Sequence, residues 1–231
     1  MQRVALSISI LLNIWLFAFV LLSHPAVSPP EPPVTSQPAP PPPPAEQTNG
    51  YNLIWPSEDF ARASFDNATI RDEADTGPNG TRTATLLVED AIEGRHRIER
   101  SADGLQPGSV HTLSLYVKIA ERSGLMFEMR DRGPGKYGVV RFDLKKRELA
   151  KSGDLKDAGM RVGANGWIRC WAAMPFDSDQ AVYTLGLLGP PDGAPVYKGN
   201  GRSGLLIWGS QLEPADRPGS YVATVGRPAV P

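Results

Sequence analysis

The sequence predicts an all-β chain, an antiparallel two-sheet β-sandwich, preceded by one N-terminal transmembrane helix and a proline-rich linker. Three observations predict it. Apolar and polar residues alternate with period 2 through most of residues 51–231, and no long 3.6-residue stripe appears. Clusters rich in Gly and Pro separate the alternating runs, as in TGPNG, QPGS, RGPGKYG, GANG, GPPDG and GNGRSG. Residues 4–22 form an apolar run without a charge, VALSISILLNIWLFAFVLL.

That run comes first in the chain. Nineteen helical residues span roughly 28 Å, close to the ~30 Å hydrocarbon core of a bilayer. Cleavage sites are poor. A cut after Ala26 puts His24 three positions upstream, and a cut after Ser28 puts Pro29 immediately downstream. Residues 1–24 are therefore expected to stay as a signal anchor. With Arg3 inside, the rest of the chain is expected on the non-cytoplasmic side, periplasmic or extracellular. Residues 25–50 follow as a linker. Proline there favours polyproline II, and almost no large apolar residue is present to build a core. The linker is expected to act as a spacer.

Residues 51–231 carry 23 basic and 23 acidic side chains. This balance speaks against a nucleic-acid partner, which calls for a basic surplus. A single cysteine excludes an internal disulfide framework, and three histidines make a Cys/His zinc site improbable. Candidate strands follow in order: 83–89, 96–100, 111–119, 125–130, 137–144, 167–174, 181–188 and 204–212. In 111–119, Leu113, Leu115, Val117 and Ile119 share one face. In 125–130 the same holds for Leu125, Phe127 and Met129, and in 137–144 for Val140, Phe142 and Leu144. Ile168, Cys170, Ala172 and Met174 form the apolar side of 167–174, so Cys170 is expected to be a buried, inert thiol. The charged stretch 144–156 is compatible with a short helix or with strand–turn–strand.

Several stretches carry a resemblance. NGYNLIWPSEDFARASF is similar to the opening of a family of carbohydrate-binding-like jelly-roll modules found in phage tail and head-fibre proteins and in bacterial surface proteins. TATLLVED, HTLSLYVK and NGWIRCWA resemble the family's successive strands, and GLLIWGSQLEPADRPGSYVAT its closing strand and tail. The likeness runs from about residue 49 to 224. It implies a two-sheet jelly roll with binding or spacing roles and no catalysis. Phe65 stands where the family usually has a tryptophan. Modules of this kind often hold a structural calcium ion, for which Glu58, Asp59 and Glu213 are nominal ligands. No cofactor is expected.

The polar sides of the strands are the candidate site. Tyr116, Lys118, Glu128, Arg130, Tyr137, Arg141, Arg169 and Trp171 all alternate with core positions. Aromatic planes stack on the apolar faces of sugar rings, and Arg and Lys hold hydroxyls, carboxylates or sulfates. The expected ligand site is thus Tyr116, Lys118, Arg130, Tyr137, Arg141, Arg169 and Trp171, with a glycan or polysaccharide as partner. Tyr116, Arg169 and Trp171 are the leading contacts. The competing expectation is a structural or protein-interaction module that packs into an oligomer.

Other motifs yield less. The 199–204 stretch matches G-x-G-x-x-G, but the strand-like LLIWGSQLE follows it rather than a helix, so a turn is expected. Asn67-Ala-Thr and Asn79-Gly-Thr match the glycosylation sequon and suit exposed turns equally well. Glu58, Asp59, Glu89, Asp90, Glu99 and Glu128 could supply a glycosidase pair, but nothing in the sequence marks one. No G-x-S-x-G nucleophile elbow is present.

Overall fold

The structure is a computed structural model. The structure describes residues 50–133, 135–190 and 193–231. The expected anchor, and the linker up to residue 49, lie outside the described residues. Among the described residues no helix is long and apolar enough to cross a membrane.

The described chain is all-β, with two six-stranded sheets in which every pairing is antiparallel. In chain order the strands are β1 Ser64–Asp66, β2 Ala68–Asp75, β3 Ala84–Glu89, β4 Glu93–Gly94, β5 His96–Asp103, β6 Val110–Ile119 and β7 Gly124–Asp131. They continue as β8 Tyr137–Asp143, β9 Glu148–Gly153, β10 Asp157–Val162, β11 Trp167–Pro175, β12 Gln180–Leu188, β13 Tyr197–Lys198 and β14 Gly204–Glu213. The first sheet runs β1-β5-β12-β7-β8-β9, and the second runs β10-β11-β6-β14-β3-β2. β4 and β13 form a small ribbon of their own. The stretch 144–156 is a tight turn followed by β9 and the link into β10, with no helix.

The expected inward faces meet in one core. Leu113, Leu115, Val117, Phe127, Phe142 and Cys170 are all fully buried there. Phe127 and Phe142 pack edge to face with ring centroids 5.2 Å apart. Each such side chain contributes about 1.5–3 kcal/mol by leaving water.

The motifs that open and close the domain bind each other. Asn52 is fully buried. Its Oδ1 accepts from the amides of Ile54 (3.0 Å) and Leu212 (3.2 Å). Its Nδ2 donates to the carbonyls of Ser210 (3.0 Å) and Val222 (2.8 Å). Ser57 bonds Tyr221 Oη at 2.6 Å and accepts the Thr224 amide, while the Thr224 hydroxyl donates to the Ile54 carbonyl. Phe60 is fully buried in the core. Arg100 donates to the carbonyls of Trp55, Pro56 and Asp59 and so fixes the loop between them. A β-bulge interrupts the register of β14 between Trp208 and Gln211, beside this clasp. It frees the Ser210 amide and hydroxyl to bond the Ser57 carbonyl. Gly209 occupies the bulge with φ of +61° and faces the Tyr221 ring, so a side chain there is disfavoured twice.

Asn52→Ala would leave two buried amides and two carbonyls without partners. Each costs about 1–3 kcal/mol, so the unfolding free energy should fall by at least about 3 kcal/mol. Urea unfolding followed by tryptophan fluorescence measures it, and a change below about 1 kcal/mol would show the clasp to be dispensable.

Candidate functional site

The seven residues expected to bind fall on the outer faces of two different sheets. Tyr116 and Lys118 lie on β6, and Arg169 and Trp171 on β11, all in the second sheet. Arg130 lies on β7, and Tyr137 and Arg141 on β8, in the first.

The outer face of the second sheet is covered. The chain after β14 crosses it, and Arg169, 2% exposed, reaches up to the Gly219 carbonyl and across to Ser114 Oγ at 2.9 Å. Burial lowers the proton affinity of this guanidinium, while Tyr116, Glu213 and Tyr221 act the other way. Arg217 stacks over the buried Trp171 at 4.9 Å. Tyr116 packs among Trp208 (5.5 Å) and Tyr221 (6.1 Å), and Lys118 pairs with Asp75 at 2.7 Å. The expectation that Arg169 and Trp171 lie on a solvated face is therefore corrected. They point away from the core, as alternation requires, but the segment after β14 lies over them, Gly219 at Arg169 and Arg217 at Trp171, beside a second small cluster of Ala84, Trp167, Leu206 and Trp208.

Strand register arranges the outer face of the first sheet in rows. Asp66, Arg97, Gly186, Met126, Arg141 and Ala150 stand side by side across β1, β5, β12, β7, β8 and β9. The next row includes Glu99, Thr184, Glu128 and Val139, and the one beyond it Ser101, Val182, Arg130 and Tyr137. Neighbours within a row are about 4.8 Å apart.

Glu128 is the hub of this face. Its carboxylate pairs with Arg95 at 3.0 Å and Arg97 at 3.2 Å, and accepts the Tyr137 hydroxyl at 3.2 Å. Arg97 also pairs with Asp66 at 2.9 Å, and Arg130 pairs with Glu99 at 2.8 Å. Tyr137 stands 40% exposed with its phenol end tethered. Burial raises the phenol's pKa, and the Glu128 charge and hydrogen bond add to the rise. At Gly186 an added Cβ would lie 3.1 Å from the Met126 methyl, so Met126 fills this notch and forms an apolar floor. Glu128 was among the expected polar-face residues. Arg95 and Arg97 were missed, although the Arg97/Glu99 alternation inside HRIER was a usable signal.

Both ends of the face are held by buried carboxylates. At one end lies a cleft of about 400 Å³, lined among others by Arg122, Arg141, Asp143, Lys146 and Glu148. Arg122 there is gripped by the buried Glu89, which also accepts from Tyr197 Oη at 2.8 Å and the Asn200 amide at 2.9 Å. At the other end Asp131 accepts the Ser178 hydroxyl and the amides of Gly133 and Asp177. Burial pushes both carboxyls up, but these donors outweigh it and hold both below the ordinary range.

The 199–204 motif forms the turn that leads into β14, with its Asn200 amide on Glu89. Asn67 is tied to the Arg95 carbonyl at 2.9 Å. The nominal calcium ligands do not converge. Glu58 faces Tyr221 and Thr83, Asp59 accepts the Ala61 amide, and Glu213 accepts from Gln211 and Gly219. Among the described residues no group of three or more His, Cys, Asp or Glu side chains could hold a metal ion.

No protein-family model and no curated protein matches the sequence. Solved structures similar to the chain include carbohydrate-binding modules and a phage tailspike domain. One is the enzymatically active domain of bacteriophage CBA120 tailspike protein 4. It is 11% identical with a TM-score of 0.44, and the match covers 70% of this chain and 21% of that one. A second is TmCBM61 in complex with β-1,4-galactotriose, 12% identical, TM-score 0.42, covering 71% and 99%. A third is the module CBM6cm-2 from Cellvibrio mixtus lichenase 5A in complex with cellotriose, 9% identical, TM-score 0.37, covering 71% and 98%. This chain spans about a fifth of the tailspike chain. At these identities and scores the likenesses carry no argument about a ligand.

Because the carboxyls of Glu89 and Asp131 lie below their unfolded values, their contribution to stability is present above about pH 4 and is lost as pH falls further. Asp131→Asn should be less stable at neutral pH but lose less stability on acidification, so the two curves of unfolding free energy converge toward low pH. Parallel curves would mean that Asp131 is not depressed.

Proposed function

We propose that this protein is a membrane-anchored module that binds a glycan on the outer face of its first sheet without catalysing a reaction. Residues 4–22 hold it in the bilayer, the proline-rich linker spaces it, and the sandwich faces outward. The supporting observation is Tyr137, an exposed ring fixed by its phenol to Glu128, which Arg95 and Arg97 clamp in turn. A pre-positioned ring can stack on the apolar face of a sugar with little further loss of freedom. The surrounding guanidinium and carboxylate groups donate to and accept from hydroxyls. Arg130 flanks Tyr137 in the same row, and Arg141 leads from it into the cleft. The face is open and excludes little water, so affinity is modest.

A second reading is a module that packs into an assembly. It is favoured by β9, an edge strand with all six residues exposed. Edge strands of this kind offer unpaired backbone groups to another chain.

A glycan array with the full-length protein, followed by calorimetry, tests the first reading. Tyr137→Ala should weaken glycan binding by about tenfold or more while the unfolding midpoint stays within a few degrees. Unchanged binding by a folded variant would remove this face from consideration. A concentration-dependent mass with no glycan retained would favour assembly.

A further inference from the structure

We infer that the ligand of this face is a neutral, hydroxyl-rich glycan rather than a polyanion. The inference rests on the binding reading above and specifies its ligand class.

The argument starts from how the charges are placed. Arg95, Arg97 and Arg130 stand against Asp66, Glu99 and Glu128 in pairs 2.8–3.2 Å long. Three cations thus meet three anions on one face. Neighbours within a row are about 4.8 Å apart and successive rows about 7 Å, both shorter than the roughly 8 Å over which charges are felt at physiological ionic strength. At the distance of an approaching ligand the opposite charges cancel. A sulfate or uronate drawn to one guanidinium meets a carboxylate one strand away.

A hydroxyl meets no such penalty. It donates and accepts at once, and the Arg130–Glu99 and Arg97–Asp66 pairs offer both functions side by side. The Arg130–Glu99 pair is reachable from both sides, while Glu128, 6% exposed, lies beneath its partners. The side chains of Arg95, Arg130, Asp66 and Glu99 are 41%, 48%, 47% and 37% exposed. Because each group is already oriented by its partner, a sugar finds donors and acceptors at fixed positions around Tyr137.

Arg141 is one point at which a polyanion could gain. It has no carboxylate within 4.0 Å among the described residues. Its neighbours on the outward side carry both signs. Asp143, two residues along β8, is itself paired with Lys146 at 3.5 Å, and Glu148 lies diagonally across on β9. Arg141 is thereby offset, and Arg132, which donates to Ser101 Oγ at 3.1 Å, is a second such cation at the other end of the face.

The test is retention of the full-length protein by neutral and by sulfated or uronate-containing polysaccharides, with affinities measured from about 20 mM to about 500 mM NaCl. Neutral glycans should be bound, and their affinity should change by less than about twofold over that range. Preferential binding of acidic glycans, weakening about tenfold or more with salt, would overturn the inference and leave the binding reading standing. Retention of neither class by a folded sample would overturn the binding reading itself.

Discussion

The side chain of Asn52 is the contact on which the arrangement of this domain depends. A carboxamide removed from water must find partners for its donors and acceptors, and this one finds four backbone groups. They belong to the entering segment, to β14 at its bulge, and to the segment that leaves. Through that one side chain the first and last parts of the domain are joined across a central strand. Ser57, Tyr221 and Thr224 extend the same joint.

The joint makes the two outer faces unlike. The leaving segment is drawn back over the second sheet, and Arg169, Trp171, Tyr116 and Trp208 are enclosed beneath it. The leaving segment does not cross the first sheet, where Asp66, Glu99, Arg130 and Tyr137 meet solvent while Met126, Glu128, Val182 and Thr184 between them are buried. There the chemistry changes from aromatic packing to ion pairs. Exposed pairs contribute little to stability, typically about 0–1 kcal/mol each. Their effect is positional. They hold Glu128 in place, and Glu128 holds the Tyr137 ring.

The motifs most distinctive in the sequence turn out to be architectural. Ser57 and Phe60 of S-E-D-F, Gln211 of I-W-G-S-Q-L-E, and Tyr221 and Thr224 of G-S-Y-V-A-T are occupied with one another or with the core. The groups available to a ligand, among them Arg95, Arg97 and Tyr137, stand in stretches without a distinctive signature. A buried clasp requires particular donors and acceptors at particular positions. An open face tolerates many combinations of polar residues, so it leaves a fainter trace.

Alternation was enough to place Leu113, Phe127, Phe142 and Cys170 in the core, because a half-buried strand must put every second residue inside. It also identified Arg130, Tyr137, Arg141 and Glu128 as outward-pointing. It was silent on β1, β2 and β10, and left β9 open between a short helix and strand–turn–strand. These lie at the sheet edges and carry much exposed surface, and in β9 all six residues are exposed. The sequence by itself therefore determined strand class, the inner face of the central strands, and the turns between them. Only the tertiary structure decided which outer residues share a sheet and which of them are covered. That depends on contacts between residues far apart in the chain, such as Asn52 with Val222 and Arg169 with Gly219. Local periodicity reports the direction in which a side chain points. It carries no information about what another part of the chain later lays over it.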